Sequence, residues 1–243
     1  MTTRAQFIQQ VRREMAKTQG LFPAKSADRP PDPRALAEAV RRQLAERWPA
    51  ALEKFREEFE RVGGVFYHAT GMEEVPAAIS RIARERDARR VITWSASLVG
   101  SGLGQRLRAD RLEVLEEPPD GASGGERVRF RQAAAQADLG VTGADWAVAE
   151  TGSLVVTSGV GKARSASLLP PYHVAIFGKS ALVETLEQVG VIFEALHRDP
   201  GARASGASIA FITGPSRTAD IELTLTRGVH GPKEVHAIFV ETL

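Results

Sequence analysis

Over the first 63 residues the apolar positions recur every three or four residues, and from Val65 onward they gather into short β-branched runs separated by charged stretches. The first texture predicts amphipathic helices, the second strands alternating with helices. Phe7, Val11 and Met15 form one stripe. A proline-rich break, GLFPAKSADRPPDP, follows, and Asp32-Pro33 reads as a helix start, a carboxylate cap with proline in the first turn. Leu36, Val40 and Leu44 continue a stripe to Trp48, where Pro49 interrupts or restarts the helix; Leu52, Phe55, Phe59 and Val62 carry the next, and Gly63-Gly64 ends it. Residues 1–63 are therefore expected to be a helical extension packed on the body or on a partner, with Phe7, Val11, Leu36, Val40, Leu44, Phe55 and Phe59 facing inward.

Residues 64–243 read as one α/β domain. VFYHA, RVITWS, HVAIFGK, SIAFITGPS and KEVHAIFVE are strand candidates, while VTGADWAVAET and GSLVVTSG suggest two strands joined by a tight turn. GMEEVPAAISRIARERDA, ERVRFRQAAAQADLG and ALVETLEQVGVIFEALHRD suit helices, as does the shorter TADIELTLTR before Gly228. The alternation predicts a largely parallel central sheet containing 91–94, 174–177, 207–213 and 235–240, flanked by helices, with an antiparallel insertion near 141–158.

Composition narrows the chemistry. Of 243 residues, 43% are hydrophobic and 26% charged, a globular balance. Cysteine is absent, so this chain offers no disulfide, catalytic thiol, thiolate zinc site or ordinary iron–sulfur ligand set. Asparagine is absent too, and arginine outnumbers lysine 26 to 6, which GC-rich codon usage explains most simply. Net charge is +2 and the pI about 9.1, but the basic residues interleave with acids, as in EKFREEFER. That pattern belongs to solvated helix faces and argues against nucleic acid. No apolar run approaches the roughly 20 residues of a membrane span, and no secretory signal opens the chain, so the expectation is a soluble cytoplasmic protein.

Several short motifs fail on context. Gly121-Ala122-Ser123-Gly124-Gly125 has nucleophile-elbow spacing but follows Pro118-Pro119-Asp120 rather than a strand. Gly161-Lys162 lacks the upstream glycine of a phosphate loop, and Ala163 stands where Ser or Thr is needed. The glycines at 100, 102 and 104 fit close packing of a helix on a sheet. No two of His68, His173, His197, His230 and His236 have metal-ligand spacing, and His173 and His236 read as core histidines inside strands.

Two segments concentrate small and polar residues where strands end. The first is Glu150-Thr151-Gly152-Ser153, with Lys162 and Arg164 a few residues on as possible partner charges. Glu150 is either a poised acid/base in a cleft or a turn carboxylate in solvent. The second is Gly214-Pro215-Ser216-Arg217-Thr218-Ala219-Asp220, where a strand end and an expected helix start would aim N–H groups and hydroxyls at one point, as an anion site or as plain capping. Both sets, with His230 and Gly231, are expected to converge on one cleft for a small carboxylate or anionic ligand, Glu150 being the catalytic candidate. Thr151, Gly152, Gly214, Pro215, Ser216, Arg217, Thr218 and Asp220 would contribute to binding.

ETGSLVV, RSASLLPPYHVAIFGKSALV, FITGPSRTADIELTL and GVHGPKEVHAIFV together resemble the lactate-utilization (LUD-domain) family over roughly residues 65–243. The resemblance implies a three-layer α/β sandwich like ribose-5-phosphate isomerase and the CoA transferases. It further implies membership of a system oxidising L-lactate to pyruvate, alongside partners that carry the iron–sulfur clusters, with no cofactor in this chain. The alternative is a free-standing enzyme acting on a sugar phosphate, a CoA thioester or a folate through Glu150. A third reading is a structural or regulatory partner without pocket chemistry.

Overall fold

The computed structural model describes residues 3–17, 32–118, 124–198, 205–219 and 225–243. In helix α1 (Arg4–Lys17) Phe7, Ile8 and Val11 face solvent, so the inward packing expected of Phe7 and Val11 is not found. Helix α2 (Pro33–Arg61) differs. The Asp32 carboxylate accepts the N–H of Ala35 at 3.1 Å, and the helix runs unbroken through Pro49. Leu36 is exposed, but Val40, Leu44, Phe55 and Phe59 are buried as expected. Phe55 sits 5.2 Å from the Phe177 ring and 5.3 Å from Phe59, and Trp48 stacks on Phe239 at 5.9 Å. Gly63 turns the chain out at φ +90, a conformation that favours glycine.

Six parallel strands then form the main sheet, in the order β1 (Val65–Gly71), β12 (Glu234–Thr242), β7 (Tyr172–Gly178), β4 (Leu139–Gly143), β2 (Arg90–Thr93) and β3 (Glu113–Glu116). The central strands are buried on both faces, which is why they read as continuous apolar runs. Register separates the faces. Val174, Ile176, Ile238 and Val240 join Ile79 and Ile82 of α3 (Val75–Glu85) in one core. Ala175, Phe177, Ala237 and Phe239 join α2 in the other.

That second core also holds a smaller sheet of order β8 (Leu182–Val183), β5 (Trp146–Val148), β6 (Ser153–Gly159) and β9 (Ser205–Ile212). Two expectations are corrected here. The 207–213 segment lies at the edge of this second sheet, paired antiparallel to β6, with Ile209 and Phe211 exposed. The 141–158 stretch holds three strands rather than two, because β4 belongs to the main sheet and β5 to the second. A helix was expected over 218–227, and at the described ends of that stretch Arg217–Ala219 (β10) and Leu225–Arg227 (β11) instead pair antiparallel.

The remaining helices are α4 (Ala96–Val99), α5 (Leu103–Ala109), α6 (Gly124–Ala134), α7 (Ser165–Leu168) and α8 (Leu186–His197). Strand order moves one way through β1, β2 and β3, then back through β4, β7 and β12. Right-handed crossovers put those two sets of connections on opposite faces. Gly140 agrees, since a Cβ there would run into the Ala166 backbone of α7 on the α2 face. The reversal falls at the carboxyl ends of β2 and β4, the place where sheets of this kind bind ligands. No helix among the described residues is long and apolar enough to cross a membrane.

Candidate functional site

The first of the two segments singled out in the sequence touches the residue that precedes the second. Thr151 Oγ1 donates to Ser153 Oγ at 2.8 Å, and Ser153 Oγ lies 2.7 Å from Thr213 Oγ1, because Leu154 of β6 pairs with Ile212 of β9. Their meeting point is filled by the end of α2. Gly152, at φ +60, lies so close to the Phe59 backbone that a Cβ would collide with it. A Cβ on Gly214 would stand 2.7 Å from Val62 O, and the Arg217 guanidinium donates to that same carbonyl.

Glu150 is exposed at the β5–β6 turn. Its Oε2 accepts the N–H of Leu186, the first residue of α8, at 3.0 Å, and its own N–H donates to Glu184 O at 2.9 Å. A carboxylate at a helix N-terminus is favoured by the helix dipole, so this contact anchors α8. Ser216 N–H donates to Pro232 O at 2.8 Å and Ser216 O accepts from Gly228 N–H at 3.0 Å, bringing the 214–216 turn beside Gly231. His230 is exposed in that turn. The backbone of Thr218 pairs with Thr226 between β10 and β11, so no helix begins at Thr218 to receive a carboxylate; Asp220 lies outside the described residues.

The carboxyl ends of β2 and β4 hold a different polar group. Asp145 follows β4, and its Oδ2 accepts both the N–H and the hydroxyl of Thr157, at 2.7 and 2.9 Å. Its other oxygen takes the Lys162 ammonium, which also lies over the Trp94 ring, 5.3 Å from the centroid. Lys162 thus serves Asp145 rather than Glu150. The loop carrying it is tied to the ends of β2 and β3: Ser95 N–H donates to Gly161 O at 3.1 Å, Trp94 Nε1 to Ala163 O at 3.2 Å, and Ala163 N–H to the Glu117 carboxylate. Burial raises the Glu117 pKa above the usual carboxylate range, against the opposing pull of the Ala163 N–H. Ser95 and Ser97 hydroxyls lie 3.2 Å apart.

Asp145 also borders a pocket of about 820 Å³ between α2 and the second sheet. Val40, Leu44, Trp48, Trp146 and Ile192 make its apolar walls, and Lys179 stands at its polar end. Sequence reasoning missed this region. The available signal was an aspartate directly after a buried strand in a parallel sheet; what was missing was the strand order that makes β2 and β4 neighbours.

The two strand histidines are core residues, as their apolar setting predicts. His173 Nε2 lies 2.9 Å from Thr142 Oγ1, its Nδ1 has no partner, and burial pushes its pKa down to about 3. His236 Nδ1 lies 3.3 Å from the Tyr67 hydroxyl, and burial lowers its pKa as well. Among the described residues no three His, Asp or Glu side chains gather as metal ligands.

Comparison with known proteins gives this geometry its context. The chain is 40% identical over 174 residues to Lactate utilization protein C of Halalkalibacterium halodurans, covering 71% of each protein. It is 25% identical over 254 residues to Lactate utilization protein B of Shouchella clausii, covering 86% of this chain and 52% of that protein. The crystal structure of a DUF162 family protein from Deinococcus radiodurans superposes with a TM-score of 0.52 at 22% identity, over 79% of this chain and 98% of that one, a likeness of fold. The profile of the LUD domain matches residues 52–240, from within α2 through the last strand, and the chain belongs to the LUD domain family.

Proposed function

We propose that this chain is an accessory or substrate-handling subunit of a cytoplasmic system that oxidises L-lactate to pyruvate with iron–sulfur partner proteins. The observation that carries the reading is the 40% identity to a Lactate utilization protein C across 71% of the chain. Oxidising lactate to pyruvate releases two electrons and two protons, and this cysteine-free chain supplies no thiolates for a cluster. The electrons then pass to the clusters of the partners and the protons to solvent. In this reading Lys162, held by Asp145 at the carboxyl ends of β2 and β4, attracts the lactate carboxylate. Its side chain keeps 22% of its surface exposed, so an anion has access to it.

The test is to purify the full chain alone and together with the products of its neighbouring genes, and to assay lactate-dependent dye reduction. Reduction is expected from the combination, with Lys162→Met raising the lactate KM about tenfold while kcat changes less. Strong lactate oxidation by the isolated chain would overturn the accessory role. Saturable thermal stabilisation by a sugar phosphate, a CoA thioester or a folate, and none by lactate, would instead support a free-standing enzyme.

A further inference from the structure

We propose that the pocket between α2 and the second sheet binds an amphipathic organic anion considerably larger than lactate, an aromatic or other apolar body carrying one carboxylate, sulfonate or phosphate. The inference stands on the pocket alone and does not depend on the lactate reading.

Size is the first argument. At about 30 Å³ per water, 820 Å³ holds the equivalent of about 27 waters, whereas lactate, with about six non-hydrogen atoms, would leave most of the space empty. The volume falls within the range of small-molecule sites.

Lining is the second. One wall comes from α2 and the facing wall from β5, β8 and α8; most of the lining residues are apolar, among them two half-buried indoles, Trp48 and Trp146, and Arg41, Asp145, Lys179 and Ser180 supply the polar part. Both indoles are braced from behind. Trp48 stacks on Phe239, and Trp146 meets Phe193 edge-on at 5.2 Å with an interplanar angle of 83°. Apolar walls with braced aromatic rings favour an apolar body of defined shape.

Charge is the third. The Lys179 ammonium is held 4.3 Å from the centroid of the Trp48 ring, and Arg41 lies on the rim. The acids nearby are Asp145, already paired with Lys162, and Glu241, 3.4 Å from the Lys179 ammonium. Of the charged residues that line the pocket, Arg41 and Lys179 are cations and Asp145, neutralised by Lys162, is the acid, and Lys179 stands beside the apolar wall, where it attracts an anion. Because Asp145 borders this pocket and holds Lys162, a ligand filling the pocket would end next to that ion pair.

The experiment uses the full chain and three probes: 1-anilinonaphthalene-8-sulfonate, its neutral analogue N-phenyl-1-naphthylamine, and lactate. Tryptophan quenching and probe fluorescence report binding, with circular dichroism confirming the fold of each variant. The expected result is one saturable sulfonate site, which Lys179→Ala weakens about tenfold while the neutral probe changes less than about twofold. Leu44→Trp, which intrudes on the apolar wall, should weaken binding of both aromatic probes severalfold. Should Lys179→Ala disturb the Trp48 contact, the exposed Arg41→Ala provides the second reading of charge preference, with a severalfold loss expected. The proposal fails if the neutral probe binds as tightly as the sulfonate, if Leu44→Trp leaves binding intact, or if an amphipathic peptide alone displaces the probe. It also fails if lactate competes at concentrations comparable to the aromatic anion.

Discussion

Replacing Phe55 by alanine tests whether α2 is a component of the domain or an appendage to it. The ring has no exposed surface and contacts Phe59, Phe66 and Phe177 at centroid distances of 5.3, 6.3 and 5.2 Å. Fully buried Phe→Ala changes cost about 3–5 kcal/mol, because the lost transfer energy is joined by a cavity that neighbours fill only partly. Here the neighbours are rigid rings on three separate elements, α2, β1 and β7, so collapse is limited and the upper half of that range, about 4 kcal/mol, is expected. With an unfolding entropy of about 2.1 cal/mol/K per residue over 243 residues, that corresponds to a Tm lower by about 8 °C. Urea titration and calorimetry measure it, with Phe7→Ala on the exposed α1 as a control expected to shift stability by less than about 0.5 kcal/mol. A Phe55→Ala loss below about 1 kcal/mol, or a separate unfolding transition for α2, would refute the argument that the helix completes the core.

Three further outcomes are expected. His173 stays neutral when folded, with a pKa of about 3, but takes a proton near pH 6.5 when unfolded, so stability falls as pH drops below 6.5 and continues to fall until about pH 3. Between pH 7 and pH 5 this histidine alone accounts for about 2 kcal/mol; His173→Val should lose about that much less over the same interval in urea titrations, and an identical pH dependence would contradict the burial argument. Gly152→Ala, at φ +60 and against the Phe59 backbone, should destabilise by more than about 1 kcal/mol, and a neutral thermal shift would mean that the α2 end does not pack on this turn. Glu150→Gln should cost about 0.5–1 kcal/mol through the weakened hold on α8 and leave lactate-dependent dye reduction by the assembled system within a few-fold. A loss above about a hundredfold would restore Glu150 as the acid or base.

How far the chain could be read depended on whether a property was local. The strands β4, β7 and β12 are apolar on both faces because helices or a second sheet cover both, and such runs stand out in a sequence. SIAFIT shows the limit of that signal. It is equally apolar, yet β9 exposes Ile209 and Phe211, since periodicity says that a segment extends but not which sheet receives it. TADIELTLTR supports a helical or an alternating pattern, and the backbone at Arg217–Ala219 pairs across to Leu225–Arg227 instead. Pro49 could be read as a break, but packing of Leu44, Leu52 and Phe55 on either side holds the helix through it. The contact between Ser153 and Thr213 follows from pairing of the start of β6 with the end of β9, and that α2 fills the space beside it was not legible, because Glu58 to Val62 are distant in sequence. Asp145 and Lys162 are 17 residues apart and meet through the β5–β6 pairing, whose register the sequence does not give, and only strand order sets Trp94 beside them.

The edge strand β1 has one neighbour in the main sheet, β12, with Val65 opposite His236 and Ala69 opposite Val240. The first strand of the sheet therefore waits for the last. On the ribosome, β1 and the α2 face that packs beside it would emerge with their apolar surface uncovered until β12 is made. Parallel pairing across about 170 residues also makes closure a late, entropically costly event, placing this domain among the slow folders of high contact order. Chains truncated within the last strand would then leave β1 unpaired and β7 with a bare edge, and their fate in the cell would be aggregation or proteolysis rather than reduced activity.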